Sequence, residues 1–438
     1  MKVANAFCQT ATGSFRSCFP RLAMPGRVLR GLAAALLLAG AAQAQSYLPA
    51  ETAVRLAIEQ SPAVQAADAS RRAAQARADG LRSGPHETVV RASGQRRWTH
   101  DGSGQRFTEG QIALERPLRL WGKAAVDAEL AEAIRTTGIV AAQDARHETA
   151  RQLLALWFSV LRAAQTLQAA QGNADAAAEL ARITERRLRA GDAARLETEL
   201  AAAEQARMQA ALAAAEAART SARAELCARF PDLCPAVGMA GDSANLPPPL
   251  PAGSETQLRS RYIEHSHEYL LAQSEENLAL HRARRTDLER RPDPTIGVFA
   301  SSERGGAERI AGVSLSLPLG SAYRQSQAAA TLAEADAALS LRLAVARRLG
   351  AEFDVLWNQL SGRRAAATAQ ARAVELQRSA ADRAMRAYRA GESGLPELLA
   401  ARRVLADAVL AERMARMDML ESDSRLRLDL HELWDFDD

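Results

Sequence analysis

Hydrophobic and polar positions follow two periodicities along the chain, and these alternate in a fixed order. A helical period over residues 51–82 gives way to strand-like alternation over 87–98 and 107–116, around the turn HDGSGQ. A long helical stretch covers 123–188, and after the break RAGDA the helical period resumes over 195–228. The first half therefore predicts a helix, a strand pair, a long helix, a turn and a returning helix.

The second half of the chain shows the same order of patterns. It predicts a helix over 255–290 and strands over 295–302 and 309–317 around the turn RGGAE. A long helix over 324–388 and a last helix from Leu398 complete it. The two halves thus share one succession of elements.

Landmark residues recur 200 positions apart, which indicates a duplication. The recurring landmarks are Leu156-Trp157 with Leu356-Trp357, Arg189-Ala190-Gly191 with Arg389-Ala390-Gly391, and Glu197 with Glu397. We therefore predict two tandem structural repeats, 45–244 and 254–438, which form one integrated domain. The Pro-rich segment 245–253 joins them.

Apolar residues within each long helix alternate spacings of four and three, which is typical of a coiled-coil seam. The seam residues are Leu153, Trp157, Val160, Ala164 and Leu167 in the first helix and Leu349, Phe353, Leu356 and Leu360 in the second. A helix of about 65 residues is about 100 Å long, so the molecule is expected to be elongated. The two shorter helices of each half, placed end to end, would match one long helix.

Composition supports long helices, because 47% of the 438 residues are hydrophobic but only 4% are aromatic. The mean hydropathy is −0.22. Beyond the N-terminus no apolar run approaches the roughly 18 residues that a helical membrane span needs. A polytopic helical membrane protein is therefore excluded.

The strands have the length of outer-membrane barrel strands. In the last strand Val313, Leu315 and Leu317 point to one face and Ser314 and Ser316 to the other, as a lipid face and a wet lumen require. Four strands cannot close a barrel, and their edges would leave backbone groups unsatisfied in lipid.

The fold expected is therefore mainly α with a membrane β-barrel. Three chains with four strands each would complete a 12-stranded trimeric barrel below a coiled-coil barrel of long helices. In the first strand pair Arg96 falls on the apolar face of Val90 and Ala92. The alternative is a soluble helical rod capped by a sheet.

The first 44 residues have the features of a secretory signal peptide. Arg27 and Arg30 precede an apolar stretch over 31–42, and Ala42-Gln43-Ala44 forms a small-x-small cleavage site. Met24 offers a more compact start. The leader carries five basic residues and no acid, so its removal changes the net charge from +4 to −1. Because the mature chain has no excess of positive charge, binding to nucleic acid is not indicated.

Cysteine usage fits an exported protein. Cys8 and Cys18 lie in the leader, which leaves Cys227 and Cys234 in an oxidising compartment. A short-loop disulfide is favoured over two unlinked thiols.

The ordered set of elements and motifs resembles the TolC family of outer-membrane efflux factors over essentially the whole mature chain. The motifs are RPLRLWGKAAVDAELA and LPLGSAYRQSQAAA after the two strand pairs, and RLRAGDAARLETELAAA and AYRAGESGLPELLAARR at the two turns. The resemblance implies a homotrimer in the outer membrane of a Gram-negative bacterium, surrounded by outer-membrane lipid, with a helical tunnel through the periplasm. It also implies a periplasmic adaptor, or membrane fusion protein, and an inner-membrane pump of the resistance-nodulation-division type. The segment RPLRLWGK is similar to that of the heavy-metal efflux branch.

The two tip turns are the expected docking site for the adaptor. A chain that reverses between long helices needs a residue that tolerates positive φ, which accounts for Gly191 and Gly391. The tip-turn residues are Arg189, Gly191, Asp192, Arg389, Gly391 and Glu392.

Glu197 and Glu397 are the candidate gate acids, expected in about the second turn of the returning helices. They match positions where the family carries acids at the periplasmic entrance, and they would hold it shut through basic residues such as Arg189 and Arg389. The alternative is solvated acids favoured by the helix dipole.

No set of residues predicts catalysis, a cofactor or a metal site. The chain lacks GxSxG, HExxH and Walker-type motifs. His265 and His267, two positions apart on a predicted helix, diverge around its axis and are expected on the solvated surface. The function predicted is a passive exit duct for small molecules or metal cations, powered by a partner. The alternative is a periplasmic coiled-coil adaptor or scaffold.

Overall fold

The computed structural model describes residues 47–98, 100, 102, 104–234, 248–320, 322–434 and 436. The expected signal peptide and residues 245–247 of the expected linker lie outside these residues. The described elements are, in chain order, α1 (Glu51–Glu59), α2 (Pro62–Ser83), β1 (Val89–Trp98), β2 (Arg106–Pro117), α3 (Lys123–Arg189), α4 (Arg195–Arg229), α5 (Glu255–Glu264), α6 (His267–Leu288), β3 (Thr295–Glu303), β4 (Glu308–Ser316), α7 (Ala322–Ala390) and α8 (Leu395–Asp429). The mainly helical fold with a small sheet is as the sequence predicts.

Three helix boundaries differ from the prediction. The helix expected over 51–82 breaks before Pro62, whose ring favours the first turn of a new helix. The helix expected over 255–290 breaks at Ser266, which adopts an extended backbone before α6 begins. The last helix begins at Leu395 rather than Leu398, because Pro396 is accommodated in its first turn.

Shorter helices line each long helix. Helices α2 and α4 both pack on α3, while α6 and α8 both pack on α7. Helix α3 also contacts α6 and α8, so elements of the two halves interlock. With 67 and 69 residues, α3 and α7 are each about 100 Å long.

Two buried clusters form the core at mid-length. The first cluster surrounds Trp157 and contains residues of the N-terminal segment, α3, the end of α4 and the C-terminal segment. Within it, the Trp157 indole N–H donates to the Tyr47 carbonyl at 2.8 Å. Around Phe353 the second cluster joins α5, α7 and the end of α8. Of the predicted seam residues, Leu153, Trp157, Leu349 and Phe353 are buried, whereas Ala164, Leu167 and Leu356 are half-buried.

The four strands form one antiparallel sheet in the order β1-β2-β3-β4. Register places Val90 opposite Leu114, Leu114 opposite Val298, and Val298 opposite Val313. A continuous apolar row therefore crosses one face of the sheet. Within the described residues, no helix is both long and apolar enough to cross a membrane.

Candidate functional site

The first tip turn closes α3 with a glycine in the left-handed region. Gly191 has φ 80°, and the N–H of Asp192 donates to the Arg187 carbonyl at 2.8 Å. The Gly191 N–H donates to the Leu188 carbonyl at 3.1 Å. These two bonds are the Schellman pattern, which satisfies the last carbonyls of a helix.

The second tip turn closes α7 in the same way. Gly391 has φ 78°, and the N–H of Glu392 donates to the Ala387 carbonyl at 2.9 Å. The charged side chains that flank the two glycines, Arg189, Asp192, Arg389 and Glu392, are all exposed. The paired turns thus present a charged surface at one end of the molecule.

The two candidate gate acids lie in the first turns of α4 and α8, not in the second turns. Glu397 is exposed, whereas Glu197 is half-buried. The Tyr388 hydroxyl on α7 donates to Glu197 Oε2 at 3.1 Å. Within this chain Arg189 pairs instead with Glu185 on its own helix.

Tyr388 connects two helical hairpins at the tip. The first hairpin consists of α3 and α4, and the second of α7 and α8. The Tyr388 ring is buried with Leu180, Leu395 and Leu398. The Arg187 guanidinium lies 4.9 Å from the ring centroid, within cation–π distance. Burial and the neighbouring Glu197 carboxylate raise the pKa of Tyr388, so the phenol stays a neutral donor.

Glu204 forms a second link between the hairpins, about two turns further along α4. Its carboxylate accepts from Arg207 on the same helix at 2.6 Å and from Arg403 on α8 at 2.7 Å. The Arg207 hydrogen bond outweighs burial and, with Arg403, lowers the pKa of Glu204. This contact is not visible in the sequence, because only the placement of α4 beside α8 in the fold brings Glu204 and Arg403 together.

The two faces of the sheet differ in polarity. On the apolar face Val90, Val298 and Val313 are 67%, 55% and 83% exposed. On the other face Arg91 pairs with Glu115 at 3.2 Å, and Arg97 pairs with Glu109 at 3.1 Å. The sheet therefore offers one surface suited to lipid and one suited to water.

A buried ion-pair network attaches the sheet to the helices. Lys123, at the start of α3, is fully buried, and its Nζ lies 2.9 Å from Asp293 and 3.3 Å from Glu289. Asp127 accepts from Arg119 at 2.8 Å and also pairs with Arg285. Two members of this network, Arg119 and Lys123, lie in the sequence motif RPLRLWGK.

In the structure Cys227 and Cys234 form a disulfide, with Cα atoms 5.0 Å apart. The bond closes the loop between the end of α4 and the short 3-10 helix Pro231–Leu233. Phe230 and Leu233 in this loop belong to the Trp157 core cluster. The bond therefore lies where it can hold the loop against the core.

The expectation for the histidines is wrong in part. His265 is exposed, but His267 is 4% exposed and buried. The break at Ser266 leaves His265 as the C-cap of α5 and places His267 at the start of α6, so the helical divergence that predicted a solvated His267 does not apply. One ring nitrogen each of His147, His267 and His431 lie within 4.8 Å of one another, which is an arrangement able to hold a metal ion.

Asp429 anchors this histidine cluster. Its Oδ1 lies 3.1 Å from His147 Nε2 and accepts from Arg151 Nε at 2.8 Å, while Arg425 donates to Oδ2 at 2.8 Å. Burial opposes ionisation, but the His147 hydrogen bond and the two arginines hold the pKa of Asp429 well below its usual range. The carboxylate is therefore a fixed negative charge beside His147.

Comparisons with known proteins agree with the sequence-based resemblance. Residues 53–228 match the family model of outer membrane efflux proteins. The fold is similar to that of the outer-membrane channel OprN, with a TM-score of 0.73 and 19% identity over 88% of this chain and 90% of that one. For VceC of Vibrio cholerae the TM-score is 0.70 and the sequence identity is 15%, over 86% of this chain and 95% of that one.

The CmeC outer-membrane channel of Campylobacter jejuni gives a TM-score of 0.68 and 15% identity over 88% of this chain and 86% of that one. No curated protein matches the sequence. The resemblance to the TolC family is thus confirmed by a sequence match and by the fold.

Proposed function

We propose that this protein, which matches the family model of outer membrane efflux proteins over residues 53–228 and has the fold of outer-membrane channels, is the exit duct of a tripartite efflux system in the outer membrane. Three copies place a 12-stranded barrel in the outer membrane and a helical tunnel in the periplasm. The duct is passive, and its cargo is small molecules or metal cations received from the pump and the periplasm. A signal peptide over residues 1–44 directs its export.

The observation that carries the proposal is the two-faced, open sheet. Its apolar row, Val90, Leu114, Val298 and Val313, lies on one side, and the ion pairs of Arg91 and Arg97 lie on the other. Strands β1 and β4 are the edges of this sheet. Unpaired strand edges are not tolerated in hydrocarbon, so each edge requires a strand from a neighbouring copy.

Exposed aromatic residues mark both ends of the strands. Trp98 ends β1 and is 58% exposed, while Trp121 and Tyr323 are exposed near the helical end of the sheet. Aromatic side chains prefer the two membrane interfaces. Arg96 lies near Trp98, at the end of β1 farthest from the helices, where a charge on the apolar face reaches the polar headgroups.

The tip turns are proposed as the docking surface for a periplasmic adaptor and, through it, an inner-membrane pump of the resistance-nodulation-division type. They lie at the opposite end of the long helices from the sheet, about 100 Å away. Their exposed charges suit a polar, reversible contact. Glu197 and Glu397 are proposed as gate acids at this entrance.

A matched pair of substitutions tests the membrane assignment. Val313→Arg places a charge on the apolar face, which costs about 2–4 kcal/mol near the middle of the bilayer. Ser314→Arg places the same charge on the polar face of the same strand and is expected to be tolerated. The readout is the amount of trimer in separated outer membranes; equal losses for both variants would contradict the proposed lipid face.

A deletion strain tests the class of cargo. Loss of the gene product is expected to lower tolerance to metal salts if cations are exported, and to dyes or detergents if drugs are exported. Unchanged metal tolerance with increased sensitivity to dyes would exclude the metal-cation cargo.

A further inference from the structure

Three histidines from distant parts of the chain meet inside the helical body. His147 lies in the first half of α3, His267 begins α6, and His431 follows α8. One nitrogen from each ring lies within 4.8 Å of the other two, and the ring centroids are 5.0 to 5.4 Å apart. His147 and His267 are buried. The cluster lies apart from the tip turns and the sheet, so the export proposal gives it no role.

We propose that His147, His267 and His431 form a binding site for a divalent transition-metal ion of the zinc class, which joins the two halves of the helical body. Neutral imidazole nitrogens are good ligands for such ions.

The hydrogen bonds of two rings favour metal binding. His147 Nε2 lies 3.1 Å from the Asp429 carboxylate, and His431 Nε2 lies 3.1 Å from the backbone carbonyl of His265. Both partner oxygens are hydrogen-bond acceptors, so each ring donates through Nε2 in these bonds. Metal-binding histidines characteristically donate their other ring N–H to a carboxylate or a backbone carbonyl.

The backbone of His431 supplies an independent observation. The His431 N–H donates to the Leu428 carbonyl at 3.1 Å, and the Glu432 N–H donates to the Arg427 carbonyl at 2.8 Å. This is the same Schellman pattern that Gly191 and Gly391 form, with His431 at the glycine position and φ 59°. A side chain at that position carries a backbone cost that glycine avoids. Here the imidazole contacts the rings of His147 and His267 and the His265 carbonyl, which can offset that cost.

Charge and geometry are compatible with a divalent cation. Asp144, one turn before His147, places a second carboxyl group near His147 and His267, beside that of Asp429. A tetrahedral Zn²⁺ holds its nitrogen ligands about 3.3 Å apart. Binding therefore draws the three nitrogens together by up to about 1.5 Å from their 4.8 Å limit, which side-chain rotation can supply.

The test is the zinc content of the full-length protein purified in detergent, after equilibration with Zn²⁺ and removal of loosely bound ion. His431→Gly removes one ligand and places the favoured residue at the left-handed position, so the helix end is preserved. His265→Ala is the matched control, because its side chain is exposed and only its backbone carbonyl contacts the cluster.

We expect about one Zn²⁺ per chain in the wild type and in His265→Ala, and an affinity at least about tenfold weaker in His431→Gly. Co²⁺ as a second probe should give visible absorption bands that His431→Gly and His267→Gln both alter, with helix content checked by circular dichroism. Zinc content equal in the wild type and His431→Gly would overturn the site and leave three rings that only pack together. An equal loss in His265→Ala would overturn it as well.

Discussion

Tyr388 on α7 donates its hydroxyl hydrogen to Glu197 on α4, across 3.1 Å and 191 positions of sequence. The bond joins α4, the returning helix of the first hairpin, to α7, the long helix of the second hairpin. Arg187 lies over the face of the same tyrosine ring. A candidate gate acid is therefore held by a phenol from the other hairpin.

Removing only the Tyr388 hydroxyl should loosen this contact. Tyr388→Phe keeps the buried ring and its contact with Arg187 but leaves Glu197 without that donor, at a cost of about 1–2 kcal/mol in the free energy of unfolding. A double-mutant cycle with Glu197→Ala, followed by thermal unfolding, measures the coupling. Strictly additive effects of the two substitutions would contradict a direct contact.

The gate proposal predicts a change in ion conduction. Glu197→Ala combined with Glu397→Ala should raise single-channel conductance or alter cation selectivity, because acids that ring a constriction attract cations and narrow it. Glu199→Ala, which removes an exposed acid on the same helix, is the control. If conductance and selectivity both stay unchanged in the double variant, Glu197 and Glu397 are ordinary solvated acids.

Glu204 predicts a pH dependence of stability. Its pKa is lower in the folded protein than the ordinary value of 4.5, chiefly through Arg207, so the folded state favours the ionised carboxylate. The stabilisation is therefore fully present above about pH 4.5 and is lost as the pH falls through the lower folded pKa.

The corresponding variant is Glu204→Gln, which should be less stable than the wild type by about 1 kcal/mol at neutral pH. The difference should shrink toward zero under more acidic conditions, as followed by thermal unfolding of the helical circular-dichroism signal. Glu199→Gln, whose pair with Arg195 is exposed, should show little change at any pH. A pH-independent deficit for Glu204→Gln would contradict the ion-pair account.

The Cys227–Cys234 bond predicts a measurable loss of stability on removal. Cross-linking residues seven positions apart restricts the unfolded chain, and the chain-entropy model gives about 2–3 kcal/mol for a loop of this size. Cys227→Ser should lower the unfolding temperature under oxidising conditions only. Intact mass before and after reduction checks the bond itself: a gain of two hydrogens is expected, and an unchanged mass would mean free thiols.

The periodic elements could be predicted from sequence, because their signals are local. The strands β1 to β4 and the long helices lie within about two residues of their predicted bounds, and the glycines of the tip turns have positive φ. Contacts between distant segments could not be predicted in this way. Whether Glu204 meets Arg403 depends on how α4 and α8 are aligned, and no periodicity reports that alignment.

The histidines illustrate the same limit. The sequence treats His265 and His267 as neighbours on one helix, but the break at Ser266 exposes the first and buries the second. His431 lies 284 positions after His147, and only the return of the C-terminal segment to α3 brings them together. Its left-handed backbone is visible only in the structure.

Three copies of this chain are proposed to complete one barrel and one tunnel. Electron microscopy of the mature protein, purified in detergent from separated outer membranes, can test this assembly. We expect threefold particles with a hollow stalk about 100 Å long and a 12-stranded barrel at one end. Monomeric rods, or particles recovered only from the soluble periplasmic fraction, would contradict it.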